Sequence, residues 1–140
     1  MASISQIRTA IKTKLDGLST PAIVYDIFKI NVEGFPAVMF EPTELANEFL
    51  DTCNNLRTYK FAIGITQEIE KIDRGQGMNI LIWVFDEIVN AFDDDFDLGG
   101  LCEGGVTPLN ARFWVAEMAN GNILFVDFII ECKTKYQLWS

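Results

Sequence analysis

From Arg57 to Thr66 the chain alternates without a break. Arg57, Tyr59, Phe61, Ile63 and Ile65 fall on one side; Thr58, Lys60, Ala62, Gly64 and Thr66 fall on the other. A sustained period of two specifies a half-buried β-strand, one side on a core and the other on lighter cover. The strand is expected over Leu56–Glu70. A strand cannot stand alone, so the rest of the chain must supply partners for its edges and a layer for its apolar face.

Two segments carry the helical period that such a layer needs. Ile4, Ile7, Ile11, Leu15 and Leu18 form one stripe. Ser3 or Ser5 can cap its start, and Gly17 is expected to end it in the left-handed conformation. Met78, Leu81, Ile82, Phe85, Ile88, Val89 and Phe92 form a second, more apolar stripe. The preceding stretch Lys71–Gly77 reads as a loop, because Gly75 and Gly77 punctuate it.

Partner strands are expected at Ile23–Ile30 and at Pro36–Phe40, with a turn at Asn31–Gly34. The segment Glu41–Asn55 is open: a short helix capped by Thr43, or an irregular excursion opened by Pro42 and closed by Asn54-Asn55. The last third reads as a β-hairpin about the turn dipeptide Asn120-Gly121. That register sets Val115 against Val126, Phe113 against Phe128 and Ala111 against Ile130, all apolar and on one face. Trp114 opposite Asp127 and Arg112 opposite Ile129 take the other face. The expectation is one α+β domain over 1–140. Its sheet is mainly antiparallel with four to five strands, two helices lie on one face, and the order is α-β-β-β-α-β-β.

Composition narrows the chemistry. Lys plus Arg is 11 against 20 for Asp plus Glu, a formal charge of −9, which a phosphate backbone repels. The imbalance lies mostly after Arg74, where 3 basic side chains face 10 acidic ones. There is no histidine, so His-dependent triads and His-containing metal sites are excluded. Cys53, Cys102 and Cys132 form no CxxC pair and read as small buried hydrophobes. The start of the chain lacks a secretion-signal apolar core, and no apolar run approaches the ~20 residues of a membrane helix. No GxSxG, P-loop or GxGxxG pattern is present, so no enzyme, no cofactor and no membrane partner is expected.

Asp93, Asp94, Asp95 and Asp97 are the densest acidic cluster. Asp93, Asp95 and Asp97 begin like a calcium loop, but the sixth position is Leu98 and the twelfth is Gly104. A solvated acidic loop is the plain reading; a small divalent-metal-dependent hydrolase built on Asp93–Asp97 is the alternative of a different class. A ligand-binding module with a groove beside the second helix is a third. Tyr136, Leu138 and Trp139 make an apolar tail that needs somewhere to dock.

Three segments resemble phage tail terminator proteins of long-tailed phages and gene transfer agents. They are GFPAVMFEP at Gly34–Pro42, DTCNNLRTYKFAIGI at Asp51–Ile65, and NILIWVFDEIVNAFDDDFDLGG at Asn79–Gly100. The resemblance runs from the first helix to about Glu131. Within it Gly34, Pro36, Tyr59, Phe61, Leu98 and Gly99 match the pattern. Leu101–Val106 and the tail after Glu131 have no counterpart in it.

It implies a virion structural protein that forms a ring, typically hexameric, at the head-proximal end of the tail tube. Such a ring stops tube polymerisation and joins the tail to the head connector. The implied partners are further copies of itself, the tail tube protein and the neck proteins, with DNA passing through the lumen without tight binding. The protein would be made in the host cytoplasm and reside in the virion. Another neck or tail-completion adaptor is the nearest alternative. Trp114, Phe125, Tyr136 and Trp139 are the expected interface side chains. Asp93, Asp94, Asp95, Asp97 and Glu103 are the expected acidic lumen or loop.

Overall fold

The computed structural model describes residues 3–29, 31–49, 54–70, 72–118 and 121–137. Helix α1 spans Ile4–Asp16, followed by β1 (Ile23–Tyr25), β2 (Ala37–Phe49), β3 (Asn54–Glu68), α2 (Arg74–Asp94), β4 (Gly105–Met118) and β5 (Gly121–Gln137). The five strands form one sheet in the order β1-β2-β3-β5-β4, antiparallel throughout except for the parallel β1–β2 pair. The fold is α+β, in the expected element order. Among the described residues no helix is long and apolar enough to cross a membrane.

The central strand is β3, and its alternation does what the sequence requires. Tyr59, Phe61, Ile63 and Ile65 are buried in a single core with Ile7, Ile11 and Leu15 of α1 and Leu81, Val84, Ile88 and Phe92 of α2. Phe40 of β2 tilts against Phe61 with ring centroids 6.3 Å apart, and Phe85 of α2 meets Phe128 of β5 edge-on at 5.1 Å. Ser3 caps α1 reciprocally: its hydroxyl accepts from the Gln6 N–H at 3.2 Å, and its own N–H donates to Gln6 Oε1 at 2.8 Å. Gly17 does close α1 but stays right-handed at φ −79°, correcting the left-handed expectation.

Several boundaries differ from the sequence reading. Strand β1 stops at Tyr25 rather than Ile30, which itself lies outside the described residues. After Tyr25 the chain leaves the sheet edge, and the Phe28 N–H is taken by Glu41 Oε1 at 3.0 Å. Strand β2 runs on through the open segment to Phe49, neither helix nor irregular. Its pairing with β3 continues to Phe49↔Asn55, across a bulge at Thr43. Pro42, with no N–H to give, sits beside that bulge, and Thr43 Oγ1 donates to the Lys60 carbonyl at 3.1 Å. Leu45 and Phe49 are exposed in the strand, so no core contact holds this segment. Ladder hydrogen bonds to β3 satisfy the backbone instead.

Helix α2 begins at Arg74, four residues before the expected start, because Asp73 is its N-cap and accepts from the Gln76 N–H at 2.9 Å. Gly77 belongs to its first turns and is buried; a Cβ there would lie 2.8 Å from Ile69 Cγ2 and 3.0 Å from Leu124 Cδ1. The glycine lets the helix start close to β5.

In the hairpin, Met118 pairs with Gly121 and Phe113 with Val126, so the register lies two residues from the expected one. Trp114 faces Phe125 and Arg112 faces Asp127. Further along, an extra residue near Asn110 (φ 58°) shifts the ladder again, so Ile130 pairs with Pro108 and Ala111 is exposed. Cys102 and Cys132 are buried as neighbouring free thiols. That contact and burial hold the Cys132 thiol protonated, far above the ordinary thiol range. Cys53 lies outside the described residues.

Candidate interface on the open sheet face

Side chains alternate across a strand, so residues between those of the core point to the face away from the helices. On β3 these include Gly64 and Thr66, and on β5 Phe125 and Asp127. Gly64 matters because it has no side chain. A Cβ there would lie 2.9 Å from two Phe125 ring atoms and 3.2 Å from Phe28. Phe125 therefore lies flat on the sheet. Trp114 stacks on it at 4.8 Å between centroids with planes 26° apart, and Phe28 leans in at 6.4 Å. The Arg112 guanidinium sits 5.8 Å from the Trp114 ring and pairs with Asp127 at 3.2 Å.

The segment after β1 crosses this face and leaves a hollow of about 290 Å³ between itself and the sheet. Its walls are mainly Phe28, Phe35, Met39, Trp114, Ala116 and Phe125, with Thr66 among them. The sheet face thus carries an aromatic surface with a depression in it. Trp114 remains 38% exposed.

Two of the four expected interface residues, Trp114 and Phe125, come together here. Tyr136 does not join them: its backbone pairs with Asn55 near the other end of β5, roughly 35 Å away at strand rise. Trp139 lies outside the described residues. Phe28, Phe35, Gly64 and Thr66 were not singled out from sequence. Gly64 inside an alternating strand was the available signal, since an isolated strand glycine often marks close approach of another group.

The acidic cluster separates into two kinds of residue. Asp93 and Asp94 are exposed at the end of α2. Asp95 is tied down: Lys14 Nζ lies 2.9 Å from its carboxylate, and Oδ1 accepts the Gly99 N–H at 2.9 Å. The backbone carbonyl of Asp97 accepts the Gly100 and Cys102 N–H groups. Glu103 accepts from Thr134 Oγ1 at 3.2 Å and the Lys135 N–H at 3.1 Å, joining the turn to β5. Asp95 and Glu103 hold the turn in place. Among the described residues no group of three or more His, Cys, Asp or Glu is placed to hold a metal ion.

The hydrogen bond from Lys14, then that from Gly99, holds the Asp95 carboxyl below the usual aspartate range. A depressed carboxylate contributes stability above the unfolded pKa of ~3.9 and loses it as pH falls through the folded value. Asp95→Asn is therefore expected to lower the melting temperature at pH 7 by about 2–4 °C. The difference from wild type should close on titrating to about pH 2. Calorimetric melts at both pH values check this; an undiminished gap in acid would show that the carboxylate charge is not what matters.

No protein-family model and no curated protein matches the sequence. Among solved structures the chain is similar to one in the virion of a native gene transfer agent particle, with a TM-score of 0.60 at 12% identity. The match covers 93% of this chain and 95% of that one. At that identity the likeness is one of fold.

Proposed function

We propose that this protein is a virion structural component of the tail terminator type, without catalysis. It forms a ring, hexameric by this reading, at the head-proximal end of a tail tube, where it stops tube growth and joins the tail to the head connector. The observation that carries the reading is the fold match to a chain of a gene transfer agent virion, nearly end to end on both chains. It agrees with the resemblance of the Gly34–Pro42, Asp51–Ile65 and Asn79–Gly100 segments to tail terminators.

Physical features support it. A closed ring needs a heterologous interface on each subunit. The Trp114–Phe125 surface supplies one side of it, since exposed stacked aromatics are what interface centres use. The other side lies on a different part of the surface. The partners are further copies of the chain, the tail tube protein and the neck proteins. The formal charge of −9 would keep DNA in transit from adhering, and this reading assigns the exposed Asp93 and Asp94 at the end of α2 to the lumen.

Light scattering after size exclusion tests the reading, with and without purified tail tube protein. Six copies of 15.8 kDa give a particle of about 95 kDa. That mass, alone or on the tube, is the expected result. A chain that stays near 16 kDa and ignores the tube would remove the terminator assignment.

A further inference from the structure

Cys102 and Cys132 stand 30 positions apart in the sequence, yet the fold makes them neighbours in its core. Both are fully buried and neither is in a disulfide. The backbone accounts for the meeting. Cys132 lies on β5 opposite Val106, and the Gly105 N–H donates to the Cys102 carbonyl at 2.9 Å. The Gly104 N–H donates to the Lys133 carbonyl at 3.0 Å, which folds the turn carrying Cys102 back over the end of the β4–β5 ladder.

The two cysteines differ in how they are held. Cys132 is fixed by strand pairing on both sides, to Tyr59 and to Val106. Cys102 belongs to a turn in which Gly99 and Gly100 take positive φ with open space around them. Between Leu98 and Gly104 only Leu98 and Cys102 are buried. A segment with so few buried contacts opens at lower cost than the sheet beneath it, and its opening uncovers Cys102. The Cys102 thiol beside it and burial hold Cys132 protonated, so Cys102 is the thiol that reacts first.

We propose that Cys102 and Cys132 are an oxidation site, at which a peroxide converts the pair to a disulfide that bolts the turn after α2 to β5. The Cys102 thiolate attacks one peroxide oxygen and the O–O bond breaks. The departing hydroxide takes up the thiol proton as water and leaves a sulfenic acid on Cys102. The Cys132 sulfur then attacks the Cys102 sulfur. The S–S bond forms, the S–O bond breaks, and the Cys132 proton leaves with the hydroxide as a second water. Two thiols are oxidised and one peroxide is reduced. The bond closes a loop that contains β4 and most of β5, so it restricts the unfolded chain. A reducing cytosol keeps the pair open, and an oxidising medium closes it. The site belongs to the single chain, so its failure and that of the terminator reading are separable.

The test uses the full chain with Cys53→Ser, which leaves two thiols. The folded protein is treated with hydrogen peroxide, blocked with iodoacetamide, unfolded and digested with trypsin. The peptide ending at Arg112 is expected joined to the one ending at Lys133, with no oxygen added at either cysteine. The same map on the wild type checks that Cys53 takes no part. The melting temperature should rise by roughly 5–10 °C, and dithiothreitol should reverse the rise. Cys102→Ala and Cys132→Ala should each lose both the link and the rise. Dimedone should label Cys102 in Cys132→Ala and leave Cys132 unlabelled in Cys102→Ala; the reverse would overturn the order of attack. Two unlinked thiols after a parallel sample of glutathione is fully oxidised would refute the site. So would a link between chains, or one that forms only in urea. A link without a rise in melting temperature would refute the bolt.

Discussion

Phe61→Ala is expected to remove about 3–5 kcal/mol of folding stability, the range for a fully buried aromatic cut back to a methyl. Phe61 has no exposed surface and sits on the middle strand, so no edge movement can close the space it leaves. Its ring packs on Phe40, and the same core includes Ile11 of α1 and Leu81 of α2. A domain of this size has ~5–15 kcal/mol in total, so the loss is a large share of its stability. The urea midpoint should fall by about 2 M with the slope unchanged. Phe96→Ala is the control, since that ring is 61% exposed and its removal should stay within ~0.5 kcal/mol. A loss under 1 kcal/mol for Phe61→Ala would mean that both helices do not rest on one core centred there.

The features legible in the sequence were the periodic ones. The stripes of α1 and α2 and the alternation of β3 report which side of an element is buried, and that is a local property. Register is not local. The expected pairing of β4 with β5 and the observed one differ by two residues, and such a slip leaves every side chain on its own face. Both registers set apolar residues against apolar ones, so the pattern could not choose between them. Strand β2 beyond Phe40 was illegible for a related reason. Its outer half is exposed, so burial imposed no period on it, and pairing with β3 alone makes it a strand. The start of α2 was hidden by Gly75 and Gly77. Gly77 is there for close packing against Ile69 and Leu124 rather than to break the helix.

The site was half legible. Trp114 and Phe125 stood out as aromatic residues off the expected core face, although the reading set Trp114 against Asp127 rather than Phe125. The stacked pair follows from the true register. Phe28, Phe35 and Thr66 reach the hollow only because the chain leaves the sheet after Tyr25 and crosses the open face. That path is set by tertiary contacts such as Glu41 with the Phe28 N–H. The acidic cluster misled in part, because counting carboxylates does not reveal that Asp95 and Glu103 are engaged in holding the turn.

Trp114→Glu should abolish ring assembly while leaving the monomer folded. Within the monomer the substitution removes one stacking contact with Phe125 at a position already 38% exposed, a loss of about 0.5–1.5 kcal/mol. In the proposed ring the same side chain would lie at every subunit contact. A central interface aromatic is worth at least ~2 kcal/mol, and a hexamer repeats it six times, so the closed ring loses more than ~10 kcal/mol. Placing a carboxylate in a desolvated contact adds to the loss. The expected elution is near 16 kDa under conditions where the wild type assembles, with or without tube protein. Trp83→Glu is the matched control. Trp83 is 64% exposed on the outer side of α2, beside the exposed Ile82, and it too could serve as an interface. The prediction is that this variant still forms rings. If Trp83→Glu dissolves them and Trp114→Glu does not, the subunits meet through the helical layer, and the open sheet face is free for another partner.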